Sequence, residues 1–173
     1  MIASISGLRA LRLVAVFGGL LFLTACASDK AADGAGGAGA GGGGLGGAAT
    51  PGSAQDFVVS VGDRVFFETD STDLTSTATA TLDKQAQWLA QYGSYAILIE
   101  GHADERGTRE YNLALGARRA NAVKEYLVSQ GVSTGRVETV SYGKERPICT
   151  SSDEGCWSQN RRGVTIVSGG ANS

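Results

Sequence analysis

Hydrophobic and polar positions from residue 55 onward alternate between a period of two, expected of strands, and a spacing of three to four, expected of helices. Residues 65–67 (VFF), with 58–61 (VVSV) as an earlier extension, predict a first strand region. The polar loop 68–73 leads to a helix capped near Thr75, and its Leu74, Ala78, Leu82, Ala86 and Leu89 define one buried face before Gly93 stops it. The run 75–81 (TSTATAT) is a weak helix former, because β-branched threonines lose χ1 freedom in a helix, so packing must hold that end. Residues 95–99 (YAILI) predict a second strand, and Gly101, Asp104, Glu105, Arg106 and Gly107 a polar turn after it. Thr108 then offers an N-cap with Glu110 in the first turn, where a helix favours negative charge. The second helix sets Tyr111, Leu115, Ala122 and Tyr126 along one side and ends at Gly131. Residues 137–142 predict a third strand, 143–160 a long connection and 163–167 the last strand. This order describes an α/β sandwich with both helices on one face of a sheet.

One residue disturbs the pattern. Arg119 lies four positions after Leu115 and four before Val123, among core-facing positions where a guanidinium is costly unless an anion meets it. Two arrangements satisfy it. Asp104 or Glu105 at the strand end supplies an internal salt bridge, or an acidic side chain and Arg119 stand apart and each holds one end of a zwitterionic ligand. Asn112, seven residues before Arg119, falls on the same side of the helix, either bonded to the turn or touching the ligand.

The amino-terminal segment has a different composition. Residues 1–25 contain Arg9 and Arg12 and no acid, followed by an apolar run too short to span a bilayer as a mature helix, which fits a secretory signal peptide. The run ends Leu23-Thr24-Ala25-Cys26, which resembles a bacterial lipobox, with Cys26 as the lipidated (palmitate-bearing) first residue of the mature chain. Ala27 follows, where retention in the inner membrane would need Asp, so sorting to the outer membrane is expected. Residues 26–54 are rich in Gly and Ala and read as a flexible tether, with a root-mean-square reach of about 30 Å. Gly34 to Gly39 within it matches GxGxxG literally, but no strand precedes it and no helix follows. Residues 55–173 are the expected folded domain.

Without residues 1–25 the chain carries 13 Lys and Arg against 17 Asp and Glu, a balance of −4 that argues against nucleic acid as a partner. With Cys26 lipidated, Cys149 and Cys156 remain as an even pair available for a disulfide, and their C-x6-C spacing is wrong for a four-ligand zinc site. No metal or cofactor is implied. His102, the only histidine, stands near Asp104 and Glu105. A hydrolytic site built from these three is the catalytic alternative to a structural histidine, and no serine or cysteine nucleophile is paired with it by motif. Arg161 and Arg162 stand at the entrance to the last strand, as a peptide-carboxylate site or as solvated or structural residues.

The run GHADERGT, residues 101–108, followed by Asn112-x-x-Leu115-Gly116-x-x-Arg119-Ala120-x-x-Val123, resembles the signature of the OmpA-like peptidoglycan-binding domain family. Residues 141–147 (SYGKERP) and 157–162 (WSQNRR) are similar to the same family, and the resemblance covers about residues 65–167. It implies a βαβαβ-type domain with a mixed four-stranded sheet, no enzymatic activity, and a pocket for the meso-diaminopimelate of the peptidoglycan stem peptide. By resemblance Asp104 meets the ammonium and Arg119 the carboxylate, while Asp70 occupies a family position that also lines the pocket. Gly116 stands where many members have serine. The resemblance further implies an outer-membrane lipoprotein with its domain in the periplasm, TolB and other Tol proteins as partners, and a role in envelope integrity and cell division. A purely structural interaction lipoprotein, in which Asp104 and Arg119 simply pair, is a further alternative.

Overall fold

The computed structural model describes residues 49–169; the expected signal peptide, Cys26 and most of the expected tether lie outside the described residues. Ser53 opens the first element by accepting a hydrogen bond from the Asp56 amide, which starts the short helix α1 (Ala54–Asp56). The chain continues in a wider turn, Phe57–Val61, closed by the Gly62 amide on the Phe57 carbonyl at 3.0 Å. Here the expected strand extension over residues 58–61 is corrected. Phe57 anchors this segment, fully buried against Trp88 with ring centroids 5.0 Å apart, and Val61 packs at the core margin, while Val58 and Val59 face outward. Gly62, at φ +95°, then turns the chain into β1 (Arg64–Phe66).

Helix α2 (Ser76–Gln91) begins where the sequence predicts, with the Thr75 hydroxyl accepting from the Ala78 amide. Its buried face holds Ala78, Leu82, Ala86 and Leu89, with Leu74 packed at the margin, and adds Trp88 and Gln85. Gln85 is tolerated at full burial because both ends of its amide are used: Nε2 donates to the Gly62 carbonyl at 2.7 Å and Oε1 accepts from Thr165 at 2.9 Å. The helix ends at Gln91, two residues ahead of Gly93, with Tyr92 as its C-cap. The Arg136 guanidinium takes the carbonyls of Leu89, Tyr92 and Tyr95, placing a cation at the negative end of the helix.

Strand β2 (Ala96–His102) reaches past the predicted residues 95–99 and includes Gly101, which belongs to the strand and not to the turn. A Cβ on Gly101 would lie 1.8 Å from the Gly116 carbonyl oxygen, and one on Gly116 only 2.7 Å from the Gly101 oxygen. Two facing glycines thus let α3 (Arg109–Ser129) lie directly on β2. The buried face of α3 comprises Asn112, Leu115, Gly116, Arg119, Ala120, Val123 and Leu127. It is rotated from the predicted stripe: Tyr111 is exposed, and Ala122 and Tyr126 are only half-buried. Two polar residues on the buried face blur the periodicity from which the stripe was read. Gly131, at φ +98°, ends α3 with paired bonds from its own amide to Val128 and from Val132 to Leu127, a Schellman closure.

After a 3₁₀ turn (Thr134–Arg136), β3 (Val137–Gly143) pairs parallel to β2. The expected bare connection over residues 143–160 is corrected by α4 (Glu154–Asn160), which Asp153 caps by accepting from Cys156. Cys149 and Cys156 form a disulfide across that connection. Strand β4 (Arg162–Ser168) inserts between β1 and β2, antiparallel to both, so the mixed four-stranded sheet runs β1-β4-β2-β3. Both long helices contribute to a single core with Ile97, Ile99, Val65 and Val167, and so cover the same face of the sheet. Among the described residues no helix is long and apolar enough to cross a membrane.

Candidate functional site

The loop after β1, the turn after β2 and the first turns of α3 meet at the carboxyl end of β2. They enclose a pocket of about 300 Å³ lined chiefly by Thr69, Asp70, Asp104, Arg106, Tyr111 and Asn112, with Leu115 as an apolar base. The turn is fixed by its own side chains. Oδ1 of Asp104 accepts from the Arg106 backbone amide at 3.1 Å, Asn112 Nδ2 donates to the carbonyls of Arg106 and Thr108, and Lys144 donates to those of Glu105 and Gly107. Glu105 is turned outward to accept from Trp157 Nε1 at 2.9 Å.

Asp104 is nearly buried and faces two guanidinium groups, Arg106 at 2.6 Å and Arg161 at 3.5 Å. Burial pushes its carboxyl pKa upward, but the hydrogen bonds and charge of Arg106, joined by Arg161, hold it below the ordinary 3.8. Asp70 sits across the pocket at φ +55°, a left-handed conformation that aspartate tolerates better than most residues, and accepts a hydrogen bond from Tyr111. That bond raises the Tyr111 pKa.

Arg119 lies behind this lining, fully buried. It forms no ion pair with Asp104 or Glu105 among the described residues. Instead Nε donates to Ser71 O at 2.9 Å, Nη1 to His102 O at 3.0 Å and Nη2 to Glu68 O at 3.0 Å, with its guanidinium carbon 5.2 Å from the Phe67 ring centroid. Carbonyl dipoles solvate the charge in place of a counter-ion, and they clip the loop after β1 to the end of β2. Burial pushes the Arg119 pKa down to about 10, against the opposing pull of Asp104. The group remains a cation at neutral pH and contributes positive potential from beneath the pocket.

The remaining candidates sort clearly. Asn112 makes the structural bonds to the turn and also lines the pocket, so both of its readings describe the same placement. His102 is buried on the opposite sheet face from the helices, bonded through Nε2 to Glu100 at 3.1 Å and not to Asp104 or Glu105, so the three do not form a reacting group. Burial and the nearby Arg162 push its pKa below 6.5, against the pull of Glu100. Arg161 and Arg162 are both buried, and so are not solvated. Arg161 binds Asp104, Glu154 and the Phe67 carbonyl, while Arg162 reaches the carbonyls of Asn160 and Arg146.

Three polar side chains of the lining, those of Arg106, Tyr111 and Thr69, were not among the residues expected from the sequence. Arg106 carried the legible signal, a cation two positions after Asp104 in a turn. It is part-exposed, bridges to Thr69 and stacks over Trp157 at 4.3 Å.

The pocket thus gathers the carboxylates of Asp70 and Asp104 and the Arg106 guanidinium, with the Arg119 guanidinium behind them, at one end of an α/β sheet. The profile of the OmpA family matches residues 66–161, and the chain belongs to that family. Its relatives there are peptidoglycan-associated lipoproteins. That of Rhizobium meliloti is 67% identical over 125 residues, 72% of this chain and 70% of the relative. The one from Mesorhizobium japonicum is 58% identical over 150 residues, 87% and 88% of the two chains. The crystal structure of the peptidoglycan-associated lipoprotein from Burkholderia pseudomallei is 40% identical and superposes with a TM-score of 0.63, covering 67% of this chain and all of that one. Membership places the protein among binding proteins and not among enzymes.

Proposed function

We propose that this protein is a lipoprotein that binds peptidoglycan noncovalently through the meso-diaminopimelate of the stem peptide. The observation that carries the reading is the charge layout of the pocket. Asp104 and Asp70 face a space that Arg106 enters from one side, with the Arg119 charge beneath. A side chain ending in both an ammonium and a carboxylate complements that layout, the ammonium against Asp104 and Asp70 and the carboxylate toward the guanidinium groups. Because Asp104 already holds Arg106, an incoming ammonium shares or displaces that cation, which frees Arg106 to meet the ligand carboxylate.

Residues 1–25 act as the signal peptide, Cys26 carries the lipid, and residues 26–54 span from the outer membrane to the domain over residues 55–173 in the periplasm. With more than one acyl chain such an anchor is effectively permanent. In this reading the protein ties outer membrane to wall as the Pal component of the Tol-Pal system, with TolB and other Tol proteins as periplasmic partners in envelope constriction at division. Co-sedimentation with purified sacculi tests the core of it: the wild-type protein pellets with the wall, and Asp104→Ala stays in the supernatant while keeping its fold. Equal pelleting of both would refute the assignment. Mass spectrometry of the mature amino terminus tests Cys26 separately, since an unmodified end elsewhere in the chain would exclude the anchor.

A further inference from the structure

A second hollow of about 320 Å³ lies across the segment 67–69 from the pocket, lined by Phe66, Glu68, Thr75, Ser158, Gln159 and Arg161. The two hollows share a wall. Arg161 lines one and Asp104 the other, joined at 3.5 Å, and Glu68 of one adjoins Thr69 of the other in the chain.

The chemistry of the second hollow differs from that of the first. Arg161 is buried, and its guanidinium is committed to Asp104, to Glu154 at 2.6 Å and to the Phe67 carbonyl at 3.0 Å, so it offers no uncompensated charge to an anion. Glu68 adds a negative charge, which further disfavours a carboxylate ligand. What remains is neutral. The Phe66 ring is 46% exposed, a flat apolar platform at the end of an edge strand. Ser158 Oγ and Gln159 Nε2 both donate to the Gly155 carbonyl, which leaves the serine oxygen and the glutamine Oε1 as acceptors, while Thr75 accepts from Ala78 and so keeps its hydroxyl proton to donate. A pyranose fits this set, with C–H groups for the ring of Phe66 and hydroxyls for the acceptors and donor around it, in a volume at the lower bound of ligand sites.

We propose that this hollow is a saccharide subsite, which takes a sugar of the glycan strand while the stem peptide on the same strand occupies the charged pocket. The inference rests on the peptidoglycan reading and deepens it: a short peptide links diaminopimelate to the glycan, and the shared wall is crossed by that link. The site would then read polymer and not peptide alone.

The test is calorimetric titration of the full mature lipoprotein in detergent with two probes, a stem tripeptide ending in meso-diaminopimelate and the same peptide carrying its N-acetylglucosamine-N-acetylmuramic acid disaccharide. The disaccharide-bearing probe is expected to bind about tenfold more tightly, the weight of one good contact. Phe66→Ala and Gln159→Ala should each reduce that preference without changing affinity for the bare peptide, and Phe66→Trp should retain it. Equal binding of both probes by the wild type overturns the subsite and leaves the peptide pocket standing. Binding of neither probe overturns the underlying reading as well. Full preference retained in Phe66→Ala overturns the placement.

Discussion

At the amino end of β2, Trp88 packs against Phe57, Tyr92 and Tyr95 with ring centroids 5.0, 4.6 and 5.2 Å away, and the polar tips of Trp88 and Tyr95 donate to Asp56 and to the Gly52 carbonyl. At the carboxyl end of the same strand the apolar Phe67, Ala103 and Leu115 are joined by six buried polar or charged residues, His102, Asp104, Asn112, Arg119, Arg161 and Arg162. One end is held by apolar burial, which needs no particular orientation, and the other by hydrogen bonds that fix each group in place. The second kind of construction forgoes stability, because charges lose their water, and gains a set of carbonyls, carboxylates and guanidinium groups held in place before any ligand arrives.

The comparison is tested most severely by cutting each end once. Trp88→Ala should lose about 3 to 5 kcal/mol in chemical denaturation, as large aromatic truncations in cores do. Arg119→Met should lose a comparable ~3 to 5 kcal/mol, although it buries more hydrocarbon, since the carbonyls of Glu68, Ser71 and His102 are left without their donor. A Met variant as stable as the wild type would show that the polar end is not held by this residue.

Asp104→Asn separates stability from recognition. It keeps an acceptor for the Arg106 amide, so the fold should persist, while affinity for the diaminopimelate peptide should fall by about 2 to 5 kcal/mol, some thirtyfold or more. The acid side follows from the same carboxyl. Its folded pKa lies below the unfolded 3.8, so its contribution is complete above pH 3.8 and is lost as pH falls through the folded value. Melting temperature measured downward from pH 5 should drop less steeply in the Asn variant than in the wild type.

The disulfide belongs to the polar end through α4, which carries Glu154 against Arg161. Replacing Cys149 and Cys156 by Ser should cost roughly 2 to 2.5 kcal/mol from loop-closure entropy, and thiol labelling of the unreduced wild-type domain should find neither cysteine free.

The smallest effect is expected at His102. Above pH 6.5 the imidazole is neutral folded and unfolded; below it the unfolded chain takes up a proton that the buried site resists. Stability should therefore decline as pH falls from 6.5, and His102→Gln should flatten that slope relative to the wild type in denaturant titrations at matched pH.

Local signals settled what local physics controls. The caps at Thr75 and Thr108, the glycine stop at Gly131 and the order of the four strands and two long helices follow from a few neighbouring residues and are met in the structure. The run 58–61 misled because alternation says nothing about which side chain finds a partner: Phe57, just before it, packs on Trp88 thirty-one residues away and Val61 on the core margin, while Val58 and Val59 stay exposed. The helix α4 was hidden because its seven residues are too few to show a period. The misfit of Arg119 was legible as a cost, but its remedy was not: three backbone carbonyls leave no mark in a sequence, whereas an acidic residue does. In the same way the residues themselves pointed to Asp104 and Asn112 and the family resemblance to Asp70, and the fold decided that Arg106 and Tyr111 stand with them in front of the buried arginine. Residue type fixes which charges a chain must reconcile; only the assembled sheet and helices fix which of them face each other and which face water.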